Sequence, residues 1–446
     1  MSLIDPARLK EALSRADPVG VRGRVVRAAG LVVEALLPKV AVGTTCEIET
    51  SADHVVQAEI IGFTGSTALL MPFGDMAGVY DGCPVVPRPD ASDLQVGDAL
   101  IGRVVDTRMR PLDGGPVPLL RNRVRLDAPP PPAMARRRIE EPLVTGIRAV
   151  DSLLTIGEGQ RVGIMAGPGV GKSVLLAMLA RQAKVDVVVA GMVGERGREV
   201  REFVERDLGS EGMARSVIVL ATSNEPPIVR VKAAMAATAV AEYFRSKGKR
   251  VLLLIDSLSR VAMAQREIGL AAGEPPTTKG YPPSVFAILP RLLERAGTDA
   301  GEGSITGVYT VLAEGDDHAD PVVDAARSIL DGHLMLSRKL AAAGHFPAID
   351  VLTSVSRVMP DVTGPEHRAL AQAARDQLAS YQESADLIEI GAYAHGSNPR
   401  LDRALRHRDS LLSFLRQSHG EARPLPDVLQ ALRTAVGSGP EENHRG

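Results

Sequence analysis

The stretch Ile164-Met165-Ala166-Gly167-Pro168-Gly169-Val170-Gly171-Lys172-Ser173 constrains the fold of this chain more than any other. Arg161 to Met165 is a short apolar run that reads as a buried strand, and Val174 to Arg181 is apolar at helical spacing. Strand, glycine-rich turn, then helix is the setting of a phosphate-binding P-loop. Glycines let consecutive backbone N–H groups converge on phosphate oxygens, and the new helix adds its positive end at the same spot. On this reading the cradle is Gly167, Pro168, Gly169, Val170, Gly171, Lys172, Ser173 and Val174. Lys172 is the point charge for the β/γ-phosphates and the Ser173 hydroxyl a ligand for Mg²⁺. One departure stands at the first glycine of the pattern, which here is Ala166. A turn that merely holds a stray anion is the alternative.

The chain has 446 residues, enough for two or three domains. No apolar run approaches the roughly 20 residues of a membrane helix. The start, Met1 to Pro6, lacks the basic-then-apolar layout of a signal peptide, so a cytoplasmic protein is expected. A formal net charge of −2 and 3% aromatics with no Trp argue against a nucleic-acid surface. Cys46 and Cys83 are too few for a disulfide framework or a zinc cluster.

In chain order, Asp5-Pro6 caps a short predicted helix over Ala7 to Ser14. Between Val19 and Pro87 come short β-rich runs split by Gly, Asp and Ser: Val21–Val26, Leu31–Ala35, Thr45–Glu49, Val55–Ile61 and Ala68–Met71. Their spacing predicts a small antiparallel barrel. Ala128 to Ala133, with four prolines in a row, reads as a surface crossing that leads into the next domain. From Gly157 onward predicted strands (Val185–Ala190, Ser216–Ala221, Val251–Ile255, Ile305–Val311, His333–Leu336) alternate with predicted helices (Glu199–Leu208, Val229–Arg245, Pro283–Ala296, Pro321–Leu330). Apolar strands in such alternation indicate an α/β domain with a buried parallel sheet. After Pro360 only helices are expected, at Pro365–Ala385, Asp402–Gln417 and Leu425–Thr434, before a polar tail from Gly437. The expected division is therefore an N-terminal helix (1–17), a β-barrel (18–92), a P-loop domain (93–360) and a C-terminal helical domain (361–446).

Two further stretches carry chemistry. Val251 to Ile255 is an apolar strand ending in Asp256; in a P-loop domain such a strand is expected beside the P-loop strand, with the carboxylate orienting Mg²⁺. Glu195, in Gly191-Met192-Val193-Gly194-Glu195-Arg196-Gly197-Arg198-Glu199, follows a strand and so emerges at the carboxyl edge of the sheet, where ligands bind. A carboxylate there can polarise an attacking water. Arg260, just beyond Asp256, is a candidate for the phosphates or a plain surface arginine.

The Gly194–Glu199 run, Met263–Glu267, Gly273–Pro276, Lys279–Phe286, Glu314–Asp317 and Ile329–His333 resemble the ATPases of type III protein export. These are relatives of the catalytic and non-catalytic subunits of rotary ATP synthases. The stretch Ile61–Gly65 through Leu70–Pro72 and the Ser-Val-Leu-Leu after Lys172 look more like the flagellar branch than the virulence branch. The resemblance covers nearly the whole chain and implies a Mg²⁺-dependent ATPase acting as a homo-hexameric ring that energises export of flagellar proteins. It makes Glu195 the catalytic glutamate, Arg196 a phosphate-side neighbour and Arg357 an arginine finger given to the next subunit's site. Phe346, in His345-Phe346-Pro347, matches an aromatic that stacks on adenine, with Tyr393 as a possible second wall. The metal would be held by Ser173 and Asp256. Implied partners are a regulator docking on the N-terminal helix, a coiled-coil stalk protein met by the Glu274–Pro283 loop in the ring channel, and chaperone–substrate complexes. No nucleic acid is implied, and the site of action is the inner face of the cytoplasmic membrane, bound peripherally. The alternatives, in order, are a virulence export ATPase, a rotary ATP synthase subunit (including one without catalysis) and an RNA-translocating termination factor.

Overall fold

The computed structural model describes residues 21–51, 54–88, 93–312 and 320–437. The helix expected at Ala7–Ser14, the Glu314–Asp317 motif and the tail beyond 437 lie outside the described residues. The chain divides into two compact units. One is built on the N-terminal strands together with residues 226–228 and 267–275, and the other holds the remainder from Leu94 onward.

In the first unit, Gly23–Ala29, Val32–Leu36, Thr67–Pro72, His54–Thr64, Thr45–Ser51 and Pro84–Arg88 close, in that order, into an antiparallel barrel. Side chains alternate across a strand, so every second residue points inward. Val33 and Ala35, Cys46 and Ile48, and Val56, Ala58 and Ile60 accordingly fill the barrel interior. The expected barrel is thus present, with Pro84–Arg88 as the closing strand.

The second unit is organised by a sheet in the order Ile349–Ser356, Gly332–Leu336, Arg161–Ala166, Ser304–Leu312, Arg250–Asp256, Val187–Glu195, Ser216–Thr222, Arg103–Val105. Pairing is parallel throughout this path except at Ile349–Ser356, which runs antiparallel to Gly332–Leu336. All residues of Val187–Glu195 are buried, as a strand covered on both faces requires. Parallel alignment brings the carboxyl ends of these strands to one edge, and the P-loop follows directly from Arg161–Ala166 at that edge.

The sheet departs from expectation in its order. The Val251–Ile255 strand does not neighbour the P-loop strand: Ser304–Leu312 lies between them, with Ile164 opposite Thr310 and Ile255 opposite Tyr309. Strand adjacency is a property of the crossovers, which leave no local pattern. Arg103–Val105, which is not among the expected strands, is an edge strand of the sheet. Ile349–Ser356 escapes a reading by pattern because Leu352 and Thr353 break its apolar–polar alternation. Helices Arg148–Leu153 and Leu258–Ala271 are likewise additions to the expected elements. The helix placed at Glu199–Leu208 is a composite: an α-helix at Gly197–Glu202, a π-helical turn at Phe203–Leu208 and a further α-turn at Gly209–Met213. The helix opening at Pro283 ends at Leu293 rather than Ala296.

The C-terminal helices Pro365–Glu383, Pro399–Leu415 and Leu425–Ala435 pack on the same core. The middle one starts three residues before the expected Asp402, because the Asn398 side chain accepts hydrogen bonds from the Arg400 and Leu401 N–H groups and Pro399 fits the first turn. Phe414, Leu415, Leu432 and Val436 join the core formed by the P-loop helix and strand. No helix of the described residues is long and apolar enough to cross a membrane.

Candidate functional site

The P-loop takes its shape from its glycines. Gly169 and Gly171 have φ of 77° and 91°, a left-handed conformation that a side chain disfavours. Ala166, the departure from the usual pattern, is still part of the strand and pairs with Leu312, so it carries no such demand. The helix Lys172–Gln182 then begins directly at the loop. Val170 anchors in the core while Pro168, Gly169, Ser173 and Val174 are at least partly exposed, which leaves the loop's N–H groups accessible to a ligand.

Three strands deliver charge to this edge. Lys172 Nζ donates a hydrogen bond to Asp256 Oδ1 and lies 3.6 Å from Glu195 Oε1. Asp256 is 2% exposed and also accepts a 2.6 Å hydrogen bond from the Thr310 hydroxyl, a residue of the intervening strand. Next to it, the Ser259 hydroxyl accepts a 2.8 Å hydrogen bond from Leu312 N–H, clamping the Asp256 turn to the same strand. Glu195 is aimed inward by a β-bulge between Val193 and Glu195, where Gly194 has φ of 68°. That φ disfavours a side chain, and a Cβ on Gly194 would also stand 2.9 Å from Arg260 Cδ. Arg260 Nε in turn lies 3.4 Å from Glu195 Oε1. Burial, followed by the charge of Asp256, lifts Glu195 to about 7, with Lys172 and Arg260 pulling the other way.

The structure therefore brings Lys172, Asp256 and Glu195 together, and adds Arg260. It does not bring Arg196 to them: that side chain is exposed and lies 3.9 Å from Glu199 Oε1. Phe346 stands against the turn of the P-loop, its ring edge 3.5 Å from where a Cβ of Gly171 would be, and is 45% exposed. Its carbonyl accepts a 2.8 Å hydrogen bond from Gln417 N–H, and the Gln417 side chain bridges Arg148 N–H and Gly146 O. Tyr393 has its hydroxyl committed to Asp402 (2.9 Å) and the Asn398 carbonyl (3.2 Å) within the C-terminal loop. Arg357 lies at the other edge of the sheet. Its N–H bonds the Asp331 carbonyl (3.0 Å), and Asp331 in turn meets the first residue of the P-loop strand, Arg161. The strand between that edge and the P-loop is roughly 16 Å long at about 3.3 Å per residue.

Sequence reasoning did not find Thr310, Ser259, Gln417 or Arg338. The Arg338 guanidinium lies against the P-loop, with Nε and Nη2 each 2.9 Å from the Cβ position of Gly167. A lone Thr, Gln or Arg carries no local signal. Arg338 was accessible in principle, because it follows the strand paired with the P-loop strand and so must emerge at the same edge. In the Glu274–Pro283 loop, Lys279 is exposed but Tyr281 is 8% exposed and packs edge-on against Phe286.

For Mg²⁺ the donor set fits: the Ser173 hydroxyl and the Asp256 carboxylate are hard oxygen ligands. Among the described residues no group of three or more His, Cys, Asp or Glu could hold a metal unaided, so substrate phosphate oxygens would complete the shell.

A left-handed glycine loop on a buried parallel strand, with a lysine facing two buried carboxylates, defines a P-loop nucleotide-binding protein. Comparison with known proteins narrows the class. Residues 25–88 match the ATP synthase alpha/beta family, beta-barrel domain; residues 146–356 match its nucleotide-binding domain; residues 363–434 match the T3SS EscN ATPase C-terminal domain. The chain is 50% identical over 428 residues to the flagellum-specific ATP synthase of Pseudomonas aeruginosa, covering 95% of each. It is 51% identical over 399 residues to the SPI-2 type 3 secretion system ATPase of Salmonella typhimurium, covering 90% of this chain and 91% of that one. The assembled ATPase EscN of the enteropathogenic E. coli type III secretion system superposes with a TM-score of 0.89 at 43% identity, over 93% of this chain and all of that one. EscN in complex with its central stalk EscO gives 0.86 at 42% identity, with the same coverage. The chain belongs to the flagellum-specific and type III secretion ATPases of the ATP synthase α/β family.

Proposed function

We propose that this chain hydrolyses Mg²⁺-ATP as a homo-hexameric ring and thereby energises protein export through a flagellar type III apparatus. The observation that carries the ring is the placement of Arg357, on the sheet edge opposite its own P-loop and so remote from its own nucleotide. A guanidinium there is useful to a neighbouring subunit's phosphates, and the assembled state of EscN supports the same reading. The stalk bound to EscN supports a coiled-coil partner in the ring channel here. A regulator on the N-terminal helix, chaperone–substrate cargo, and a cytoplasmic protein bound peripherally at the membrane follow from the family resemblance.

In this reading the loop N–H groups and Lys172 hold the β/γ-phosphates, and Phe346 stacks on adenine. Ser173 and Asp256 would hold Mg²⁺, which would supply positive charge to offset that of the terminal phosphates. Glu195 accepts a proton from a water as its oxygen bonds the γ-phosphorus and the bond to the β-side bridging oxygen breaks. Arg260 and Lys172 keep Glu195 oriented beside that water. The relatives include both flagellar and virulence enzymes at nearly equal identity, so a virulence export ATPase is the second reading.

The test is specific activity against protein concentration: a steep rise is expected, because each site is completed by a neighbour, whereas flat activity would dismiss the ring. A second expectation concerns pH. Glu195 acts ionised, and its ordinary carboxylate range is raised to about 7 by burial and Asp256. The working form is thus lost as pH falls through 7, and turnover should drop about tenfold per unit at lower pH. A kcat–pH profile flat from 5 to 8 would contradict this role.

A further inference from the structure

The Arg357 backbone N–H bonds the Asp331 carbonyl, and Asp331 is gripped by residues at the start of the strand that carries the P-loop. Gln160, fully buried, immediately precedes that strand. Its Oε1 accepts from Gly157 N–H (2.8 Å), and its Nε2 donates to the Asp331 carbonyl (3.1 Å) and the Ser356 hydroxyl oxygen (3.2 Å). The same Asp331 carbonyl accepts the Arg357 N–H at 3.0 Å, and the Ser356 hydroxyl donates to the Thr155 carbonyl at 2.7 Å. One residue on, Arg161 donates its backbone N–H to Asp331 Oδ2 (3.1 Å) and grips both carboxylate oxygens with its guanidinium, through Nε to Oδ2 (3.1 Å) and Nη2 to Oδ1 (3.2 Å). The Asp331 N–H returns a 2.9 Å bond to the Arg161 carbonyl. Gly332 completes the clamp: a Cβ there would lie 2.4 Å from the Val355 carbonyl oxygen, so only glycine lets the Arg357 strand approach this closely.

We propose that Gln160, acting with Arg161 and Asp331, is the positioning residue for Arg357, and that the P-loop strand thereby links a subunit's own nucleotide to the arginine it lends its neighbour. The proposal rests on the reading of Arg357 as a trans-acting group. Physically, a buried amide with both its oxygen and its nitrogen engaged holds one geometry, and a misplacement of about 1 Å at a phosphoryl-transfer site costs up to about 10²-fold in rate. The P-loop strand is short and buried, paired on both sides, so a shift at one end is carried to the other rather than absorbed.

Subunit mixing separates this role from a general loss of structure. Lys172→Ala subunits are expected to have a dead site but an intact arginine; Arg357→Ala subunits have an intact site but no arginine. Gln160→Met, which keeps the side-chain length but none of its hydrogen bonds, should lower turnover about tenfold to a hundredfold. Mixed with Lys172→Ala it should recover activity, because the partner's arginine serves its sound P-loop. Mixed with Arg357→Ala it should not recover. Full activity of Gln160→Met alone, or rescue by neither partner, overturns the proposal. The milder Ser356→Ala, which removes one acceptor from the Gln160 amide, should show the same mixing pattern with a several-fold effect if Gln160→Met fails to assemble. If Arg357→Ala itself retains activity, or is not rescued by Lys172→Ala, it is the trans reading that fails, whatever Gln160 does.

Discussion

Arg357→Ala is expected to cut ATP turnover by about 10³-fold or more while leaving nucleotide affinity nearly unchanged, the size of effect an arginine finger supplies in phosphoryl transfer. Its position is the reason. Arg357 follows the antiparallel edge strand Ile349–Ser356, whose end is registered against the start of Gly332–Leu336, Ser356 opposite Gly332. That is the amino edge of the sheet, whereas the P-loop, Lys172, Asp256 and Glu195 occupy the carboxyl edge. Removing Arg357 thus disturbs neither Lys172 nor the loop N–H groups of the same chain, and binding of ATP by those groups should persist. Arg357→Lys should restore little, since a compact ammonium lacks the planar fork that spans two phosphate oxygens. Turnover and the dissociation constant of a fluorescent ATP analogue, measured side by side, check this; unchanged turnover in Arg357→Ala would sink the trans site.

Glu195→Gln should slow hydrolysis by about 10²- to 10⁴-fold, the usual worth of a positioned general base, with ATP binding intact or tightened. Glu195 is buried beside Asp256, and the two carboxylates share one lysine. The amide keeps the shape and removes one of the two like charges, so Lys172 remains paired with Asp256 and free to meet a phosphate. What the amide cannot do is take a proton from water. The acid limb of the pH profile, set by the lift of Glu195 to about 7, should vanish with it. Single-turnover hydrolysis with bound nucleotide quantified by filtration distinguishes the outcomes, and sustained turnover by the Glu195→Gln variant would remove Glu195 from the mechanism. The two substitutions are expected to fail at different places, the Arg357→Ala site being rescued by a neighbour's arginine and the Glu195→Gln site not.

Much of the site was legible because its parts are local. The P-loop is specified within a few consecutive residues, since positive φ at Gly169 and Gly171 and the start of the helix at Lys172 are short-range properties. Glu195 and Asp256 were legible as the ends of apolar runs, which in a parallel sheet must emerge at the ligand edge. The barrel followed from period-two alternation, and Val33, Ala35, Ile48 and Ala58 are inside as that pattern demands. Thr310 and Gln417 were not legible, because each acts on a partner far along the chain: Thr310 reaches Asp256 across 54 positions, and Gln417 reaches Gly146 across 271.

By itself, then, the sequence determined the barrel, most of the parallel strands, the glycine-rich loop ahead of a helix, and the residue types able to polarise water and bind a metal through oxygen. These rest on backbone conformation and periodicity, which neighbouring residues set. Only the tertiary structure decided the strand order that interposes Ser304–Leu312 between the P-loop and Asp256, the meeting of Lys172 with Asp256 across 84 positions, and the edge to which Arg357 is sent. Those are consequences of crossovers and long-range pairing, whose energy comes from burying strands against one another and leaves no mark in any short stretch of chain.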